Sequence, residues 1–508
     1  MSAPASLPWL AAHELRLSWR DWLSLMTGGK RARIPIVVLA FVAIAFGMHW
    51  LAYHLIGPSA PSGVNPDRPT LILVTGCALL SWSLTLSQAM EMVTRAFYAR
   101  ADLDLMLSSP VSARKVFSVR IAAIAFSTTA LAVPLAAPFI NALAYSGGPR
   151  WLGAYGVVIA MGMVASALAM ALTMALFRTL GARRTRFVAQ VIAAVVGAVF
   201  VIGVQALAIL SSNTLSRFAA MQSDALRAIA PGDASPFWWP ARAIMGDVPA
   251  LVGVLVTGAA LLGVAMLVFS GRFAENATAA AGISATTIRQ KRRHEAFRPS
   301  SPAQTLRRKE WTLLRRDPWL VSQTLMQVLY LLPPALLLWR NFGGVGGETL
   351  LVLVPVFVMA AGQLAGGLAW LAVSGEDAPD LVATAPVPER TILRAKMEAV
   401  LSGVFFVLAP VILILAFSAP FYAVVACGGI LVASGAATLI QLWFRKQAKR
   451  SHFRRRQTSS RVATFAEAFS SISWAATAGL AASGSWAALA PALIAIGILG
   501  GARAIRPR

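Results

Sequence analysis

The stretch IPIVVLAFVAIAFGMHWLAYHLIG, residues 34–57, decides the fold class of this chain. It contains no Asp, Glu, Lys or Arg, and about 20 consecutive apolar residues are enough for a helix to cross the hydrocarbon core of a bilayer. Similar runs recur along the whole 508-residue chain, which is 57% hydrophobic and only 13% charged. Because a soluble protein carries about a quarter charged residues, the sequence predicts an all-α, polytopic membrane protein.

Twelve apolar segments of this kind can be identified, and they form two parallel six-span repeats. The predicted spans are residues 34–57, 69–92, 119–145, 151–176, 188–211, 249–270, 320–339, 349–373, 397–417, 421–444, 463–482 and 486–501. We expect a first half at residues 1–271 and a second half at 319–508. Residues 272–318 join them as a basic cytoplasmic linker followed by an amphipathic connecting helix on the membrane surface.

The basic residues predict the orientation of the spans. With a cytoplasmic N-terminus, 39 of the 45 Lys and Arg residues lie in cytoplasmic segments, as the positive-inside rule requires. The six on the outer side are Arg68, Arg150, Arg217, Arg227, Arg242 and Arg340. We therefore place both termini in the cytoplasm and the protein in the inner membrane of a bacterium. The net charge of +25 then belongs to the inner face, where it favours anionic lipids rather than nucleic acid.

A polar motif occurs twice, each time between the second and third predicted spans of a half. DLMLSSPVSAR at 104–114 and DLVATAPVPER at 380–390 align without a gap as D-L-x-x-[ST]-x-P-V-x-x-R. The shared positions are Asp104, Leu105, Pro110, Val111 and Arg114 in the first copy, and Asp380, Leu381, Pro386, Val387 and Arg390 in the second. The match extends to Arg120 and Lys396, so both halves kept a short polar segment on one side of the membrane.

A second gapless match lies upstream of each copy. Its positions are Glu14, Arg20 and Asp21 in the first half, and Glu310, Arg316 and Asp317 in the second. Both segments precede the first apolar run of their half. We expect each to form an amphipathic helix at the cytoplasmic surface.

The repeated loop has the design of a stiff amphipathic element. Its Asp suits the N-terminus of a short helix, and its Leu and Val provide an apolar face that fits a groove on another protein. Its Pro ends the helical stretch. An ordinary interfacial turn would share these features. Because the chain has no evident energy source of its own, we interpret the loop as a docking element.

The long outer loop, residues 212–248, ends in the segment SPFWWPAR at 235–242. Its candidate residues are Pro236, Trp238, Trp239 and Pro240. Paired Trp residues commonly lie at the membrane interface, so we expect this segment to lie at the outer headgroups. The matching place in the second half is short, near residues 483–485.

The sequence offers no catalytic or metal-binding motif. It contains no G-x-x-x-x-G-K-[ST], H-E-x-x-H or G-x-S-x-G pattern. His49 and His54 lie in the outer half of the first span without an acidic companion, so we interpret them as packing or interfacial residues. We therefore expect no catalytic residue, no metal and no cofactor bound by this chain.

The arrangement resembles the membrane subunits of export-type ABC transporters, the type-two permease class. Such permeases have six spans, an amphipathic connecting helix before the first, a coupling helix between spans two and three, and an outer loop between spans five and six. The family's coupling-helix pattern is similar to residues 105–112 and, less closely, to 381–388. Residues 14–23 and 310–320 look like connecting helices, and 236–241 like the outer loop.

The resemblance implies a permease subunit whose repeated loops dock a cytoplasmic dimer of ABC ATPase subunits. ATP with Mg²⁺ is then expected on that partner and not on this chain. A usual family member has one six-span unit and dimerises, whereas this chain resembles a fused tandem. Because it already carries two docking loops, we expect one permease chain for every two ATPase subunits.

Two alternative functions remain open at this point. A secondary transporter of six-plus-six type also has parallel repeats, although its usual loop motif, G-x-x-x-D-R-x-G-R-R, is absent from 94–115 and 375–394. A lipid-modifying integral membrane enzyme would need clusters of His, Asp and Glu at the interface, and the sequence shows no such convergence.

The predicted topology can be tested with protease-cleavable tags. Tags added at Met1 and Arg508 should resist external protease in intact cells, since both termini are predicted to be cytoplasmic. A tag inserted in the predicted outer loop at residues 212–248 should be cut. Cleavage of either terminal tag would overturn the predicted orientation or the number of spans.

Overall fold

The structure of this protein is a computed structural model, and its fold is all-α. It describes residues 6–27, 34–56, 67–98, 112–210, 230–232, 235–272, 301–316, 325, 329, 347–374, 376, 381–382, 384–444 and 461–505. Within these residues every regular element is a helix, and no strand occurs. The chain divides into two compact units, Met1–Ile288 and Arg289–Arg508.

The described residues of the first unit form seven α-helices. They are α1 (Leu7–Thr27), α2 (Ile34–Ile56), α3 (Arg68–Tyr98), α4 (Ala113–Gly147), α5 (Gly153–Leu210), α6 (Trp239–Ile244) and α7 (Val248–Phe269). Short 3₁₀ turns at Pro149–Leu152, Pro236–Trp238 and Ser270–Arg272 join or extend them. Its main core lies where α3, α4 and α5 meet, with the end of α7 packed against it.

The second unit contains six described helices. They are α8 (Pro302–Arg316), α9 (Gly347–Ser374), α10 (Glu389–Ser418), α11 (Pro420–Trp443), α12 (Arg461–Ala482) and α13 (Leu489–Ala504), with a 3₁₀ turn at Trp486–Ala488. Its core is formed by α9, α10, α11 and α12. The amphipathic helix α8 packs on α9 and α10, so this part of the predicted 272–318 linker belongs to the second unit.

Nine helical stretches among the described residues are long and apolar enough to cross a membrane. They are Val37–His54, Arg68–Tyr98, Ala113–Gly147, Pro149–Gly181, Val248–Phe269, Leu353–Val373, Glu389–Ser418, Pro420–Trp443 and Trp486–Ala504. This confirms an all-α, multi-pass membrane protein. The predicted spans at 188–211 and 463–482 are helical, in α5 and α12, but are not among these nine stretches. The predicted span at 320–339 lies outside the described residues apart from 325 and 329, so the count of twelve stays a prediction.

The helix α5 covers the fourth and fifth predicted spans and is two helices joined across a kink. The break is at Gly181, whose φ of 70° and ψ of 165° are not helical. Positive φ costs glycine little because it has no Cβ. The turn between these two spans is therefore very short.

Small residues allow the helices to approach closely in both units, as is typical of membrane helix bundles. In the first unit, the Ser87 hydroxyl of α3 donates to the carbonyl of Ala193 in α5 at 2.7 Å, and a Cβ on Gly197 would lie 2.7 Å from that hydroxyl. In the second unit, Gly362 and Gly366 of α9 face α12 in the same way. A side chain on either glycine would overlap α12.

The side chain that fills the space at Gly366 is a buried carboxylate, Glu467 of α12. The side-chain amide of Gln441 in α11 donates to it, so three helices of the second unit meet at this carboxylate. Polar side chains within membrane helices commonly form such helix–helix hydrogen bonds.

In the first unit, the segment that begins at Ser235 packs against α3. Trp238 is only 2% exposed, contacts Leu71 and Ala241, and donates its indole N–H to the carbonyl of Gly232 at 3.0 Å. Trp238 is therefore a packing residue of the first unit, and the position of this segment at the outer headgroups stays a prediction. Trp239, by contrast, is partly exposed.

Both units contain a short 3₁₀ turn that is capped in the same way. The Ser235 hydroxyl accepts from the amide of Phe237 at 3.3 Å, and the Ser485 hydroxyl accepts from the amide of Ala487 at 3.2 Å. Each serine thus caps a 3₁₀ turn. The second unit keeps the short turn of the outer segment, although it lacks a loop as long as 212–248.

His49 is a packing residue, as expected. Its Nδ1–H donates to the carbonyl of Ala45 at 2.7 Å, so Nε2 accepts from the Asn141 amide at 3.0 Å. The Asn141 side-chain oxygen accepts from the Tyr155 hydroxyl at 2.8 Å. These bonds join α2, α4 and α5 of the first unit.

Adding one methyl group at Gly366 should destabilise the protein. Gly366→Ala forces the buried Glu467 carboxylate to move, and overpacking of this kind costs about 1–3 kcal/mol. The melting temperature of the purified protein in detergent should fall. Gly428→Ala is the matched control, because nothing lies within 4 Å of the Cβ it adds. Equal melting temperatures for the two variants would contradict the close packing of α9 on α12.

Candidate functional site

A buried ion pair ties three helices of the first unit together next to the first repeated loop. Glu14 on α1 and Arg120 on α4 lie 3.7 Å apart, measured from Oε1 to Nε, and both side chains are 3% exposed. Arg120 also donates through Nη1 to the carbonyl of Ala96 near the end of α3, at 3.5 Å. The helices on either side of the loop are therefore joined to α1 by one guanidinium group.

The second unit has the same construction at the aligned positions. Lys396 on α10 donates through Nζ to Oε1 of Glu310 on α8 at 2.8 Å. It also donates to the carbonyl of Ala372, near the end of α9. The Glu310 side chain is 1% exposed and that of Lys396 is 10% exposed. Ala96 and Ala372 stand 24 residues before their respective cations, so the accepting carbonyls also correspond.

We call each arrangement of glutamate, cation and helix-end carbonyl a clamp: Glu14, Arg120 and Ala96 in the first unit, and Glu310, Lys396 and Ala372 in the second. In each unit the clamp brings together the end of one spanning helix, the start of the next and an amphipathic helix. The repeated loop connects the two spanning helices at this point.

Local sequence places the glutamates of the clamps. Helix α8 begins with a capping box: the amide of Gln304 donates to the Ser301 hydroxyl at 3.3 Å, and the amide of Ser301 donates to the Gln304 side-chain oxygen at 3.3 Å. Helix α1 begins at a comparable serine, since the Ser6 hydroxyl accepts from the amide of Trp9 at 3.4 Å. Each glutamate then lies about two turns into its helix, on the buried side.

The clamp of the second unit has additional charges. Glu376, between α9 and the second repeated loop, pairs with Lys309 of α8, and its Oε2 lies 3.6 Å from Nζ of Lys396. Lys309 also lies 3.4 Å from Oε1 of Glu310. Two lysines and two glutamates thus alternate in one network. A network of this kind holds its members in place more strictly than a single pair does.

A more exposed set of charges lies beside this network. Glu398 on α10 pairs with Arg307 on α8 and, at 3.4 Å, with Arg394 on its own helix. Arg394 is 82% exposed, so its pairing with Glu398 contributes little to stability.

The second repeated loop is described in part. Leu381 and Val382 are helical, and Leu381 is 72% exposed. The chain then bends through Pro386 and Val387 into α10, which begins at Glu389 after Pro388. The expected design of the loop, a short helix ended by its proline, stays a prediction, because residue 383 lies outside the described part of the chain.

The other predicted residues fall into three groups. Arg114, Arg390 and Arg20 are exposed, the first two at the starts of α4 and α10. Asp21 and Arg316 lie within α1 and α8, but their side chains are outside the described part of the structure. Outside it entirely are Asp104, Leu105, Pro110, Val111, Asp380 and Asp317.

Sequence reasoning matched the clamp positions but missed their pairing. Glu14 was aligned with Glu310 and Arg120 with Lys396, yet nothing in the alignment states that the glutamate of each half meets the cation of the same half. A signal was present: opposite charges kept at fixed places beside apolar helices. Nothing in the sequence identifies Ala96 and Ala372 as the residues whose carbonyls accept these hydrogen bonds, because every residue has a carbonyl group.

Each clamp cation contacts one carboxylate and one helix-end carbonyl. Among the described residues, no three His, Cys, Asp or Glu side chains lie together in a way that could hold a metal ion. What the arrangement can do is transmit displacement between the loop and the spanning helices.

Comparison with protein-family models, with curated proteins and with solved structures gives no match for this chain.

Removing one member of a clamp should destabilise the protein strongly. Lys396→Met leaves the Glu310 carboxylate buried without its closest cation, and breaking a buried pair on one side costs about 3–5 kcal/mol. Replacing both, as Glu310→Leu with Lys396→Met, should cost less than the single change. Arg394→Ala, at an exposed cation on the same helix, is the control and should leave the melting temperature almost unchanged. A single variant as stable as the control would show that the clamp is not a stabilising contact.

Proposed function

We propose that this chain is the membrane-spanning permease subunit of an ATP-driven ABC exporter, energised by a separate ATPase that docks on the two repeated cytoplasmic loops. The observation that carries the proposal is the pair of clamps. Each lies where a repeated loop meets its spanning helices, and each joins both helix ends to an amphipathic surface helix.

The clamps support a mechanical role for the loops. A loop that only turned the chain would need no buried charge beside it, and a buried ion pair carries a desolvation penalty. Such pairs suit a junction that must keep one geometry under load. A push on the loop then moves the ends of both spanning helices together with the surface helix, as a rigid body.

The exposed Leu381 supports the loop as a docking element. A leucine that is 72% exposed on a cytoplasmic loop offers an apolar contact to a groove on another protein. In the proposed complex this groove belongs to an ABC ATPase dimer. ATP and Mg²⁺ bind to that dimer, because this chain has no phosphate-binding loop.

The correspondence of the two clamps supports two related halves fused in tandem. The same alignment that pairs the loop motifs pairs Glu14 with Glu310 and Arg120 with Lys396. One chain then provides both docking elements that an ATPase dimer requires. The complex contains one copy of this protein and two ATPase subunits in the inner membrane of a bacterium.

One observation favours an ion-coupled secondary transporter as a second candidate. Glu467 is a buried carboxylate within α12 and hydrogen-bonds to Gln441 of α11. Buried acids within membrane helices are typical of proton-coupled transport. The two functions differ in energy source: the second needs no ATPase partner, and Glu467→Gln would abolish it while leaving ATPase binding unaffected.

Docking can be tested with charge substitutions in the loops. Leu381→Asp and Leu105→Asp each place a charge in the proposed apolar groove, and burying an unpaired charge costs several kcal/mol. ATPase co-purification, transport and transport-stimulated ATP hydrolysis should fall together. The first loop should be the more sensitive, since it resembles the family pattern more closely.

Thr384→Asp is the matched control, because it adds the same charge to an exposed position of the second loop that carries no large apolar side chain. It should retain most of the ATPase binding. Membrane insertion and expression should be normal in all three variants. Leucine variants that still bind the ATPase and transport would show that the loops are only turns between spans.

The proposed subunit composition predicts the mass of the complex of this protein with its ATPase. Native mass spectrometry of the purified complex should give one permease chain with two ATPase subunits. A complex with two permease chains for each ATPase dimer would refute this stoichiometry.

A further inference from the structure

The first unit has an apolar groove on its outside, between the amphipathic helix α1 and the spanning helix α4. Its volume is about 490 Å³, within the range of pockets that hold small molecules. It is lined on α1 by Leu7, Pro8, Ala11 and Leu15, on α4 by Ser118, Val119, Ala122, Ala123 and Phe126, and on α7 by Met266. Ser118 is its only polar side chain.

The corresponding place in the second unit is ionic. Where Glu14 aligns with Glu310, Ala11 aligns with Arg307. Where Arg120 aligns with Lys396, Ala122 aligns with Glu398. Arg307 and Glu398 form an ion pair between α8 and α10, and Arg394, which aligns with Ser118, joins it. The same helix pair therefore carries an open apolar groove in one unit and a charged contact in the other.

Positive charge lies at one end of the groove. Arg114 and Lys115 are both exposed in the first turn of α4, about one turn before Ser118. Residues three and four apart share a helix face, so Lys115 lies on the same face as Ser118, Val119 and Ala122. Two exposed cations therefore lie about one turn before the α4 wall of the groove, and that wall is apolar apart from Ser118.

We propose that this groove binds an anionic phospholipid of the inner leaflet, with one acyl chain between α1 and α4 and the phosphate beside Arg114 and Lys115. The site lies between a surface helix and a spanning helix, which is the depth where headgroups meet acyl chains. Each cation near the surface favours an anionic headgroup. Among the described residues of the second unit, an ion pair occupies the aligned place, so we expect one lipid of this kind for each chain.

The lining favours an acyl chain over a peptide. A peptide in the groove would bring backbone amides and carbonyls, which need hydrogen-bond partners in an apolar setting. The groove walls are helical, so their own backbone groups are bonded within the helices. An acyl chain has no polar groups that need hydrogen-bond partners, so burying it in an apolar groove leaves no such group unpaired. The inference is independent of the proposed ATPase docking, since it requires only a chain that lies in a membrane.

The test uses the full chain reconstituted in vesicles of equal parts phosphatidylglycerol and phosphatidylcholine, then extracted in mild detergent and weighed by native mass spectrometry. The unmodified protein should retain one phosphatidylglycerol per chain. The double variant Ala11→Arg with Ala122→Glu transfers the ion pair of the second unit into the groove and should retain none. Ala122→Phe fills the groove without adding charge and should also retain none, which covers the case in which the double variant fails to fold.

Arg307→Ala with Glu398→Ala is the matched control, because it changes the aligned pair in the second unit, and it should keep the bound lipid. Arg114→Glu with Lys115→Glu should lower the preference for phosphatidylglycerol over phosphatidylcholine by about tenfold or more. Retention of the lipid by folded Ala122→Phe would overturn the site. Equal binding of both lipids by the unmodified protein would overturn the headgroup contact, and capture of a peptide in place of lipid would overturn the assigned occupant.

Discussion

The hydrocarbon interior of a membrane offers no hydrogen-bond partner to a backbone amide, and the rest of this structure depends on that constraint. The spanning segments are helical because a helix satisfies its backbone within itself. Helices already satisfied in this way gain little from burying apolar surface against one another. They associate through close contact instead, which is why Gly197, Gly362 and Gly366 lie where helices meet.

The same constraint decides where charge can lie. A charged side chain deep in a span is costly, so charged groups collect at helix ends, where carbonyls and partner charges are within reach. The clamps are the clearest result. Arg120 and Lys396 each use a carboxylate from an amphipathic helix and a carbonyl from the preceding span. These contacts hold the helices that flank each repeated loop in one arrangement. A displacement of the loop can therefore be passed on to the spanning helices, as the proposed function requires.

The two units use one plan with different chemistry at its edges. In the second unit, Glu376 and Lys309 extend the clamp, and Arg307 with Glu398 closes the face beside it. In the first unit, alanines at the aligned places leave a groove next to exposed cations. Asymmetry of this kind is compatible with the proposed lipid site in the first unit and with the proposed docking role of both loops.

The sequence by itself determined the fold class, most of the spans and the correspondence between the halves, because these depend on hydropathy and spacing along the chain. It also placed a helix at α8, a short helical stretch at Leu381 and a packing role at His49. The tertiary structure alone decided which charges meet, that Trp238 is buried, and that Ala11 and Ala122 face each other across a groove. Such facts depend on distances between residues far apart in sequence. A pattern of residue types contains no such distance, so Glu14 and Arg120 become a clamp only when α1 and α4 pack together.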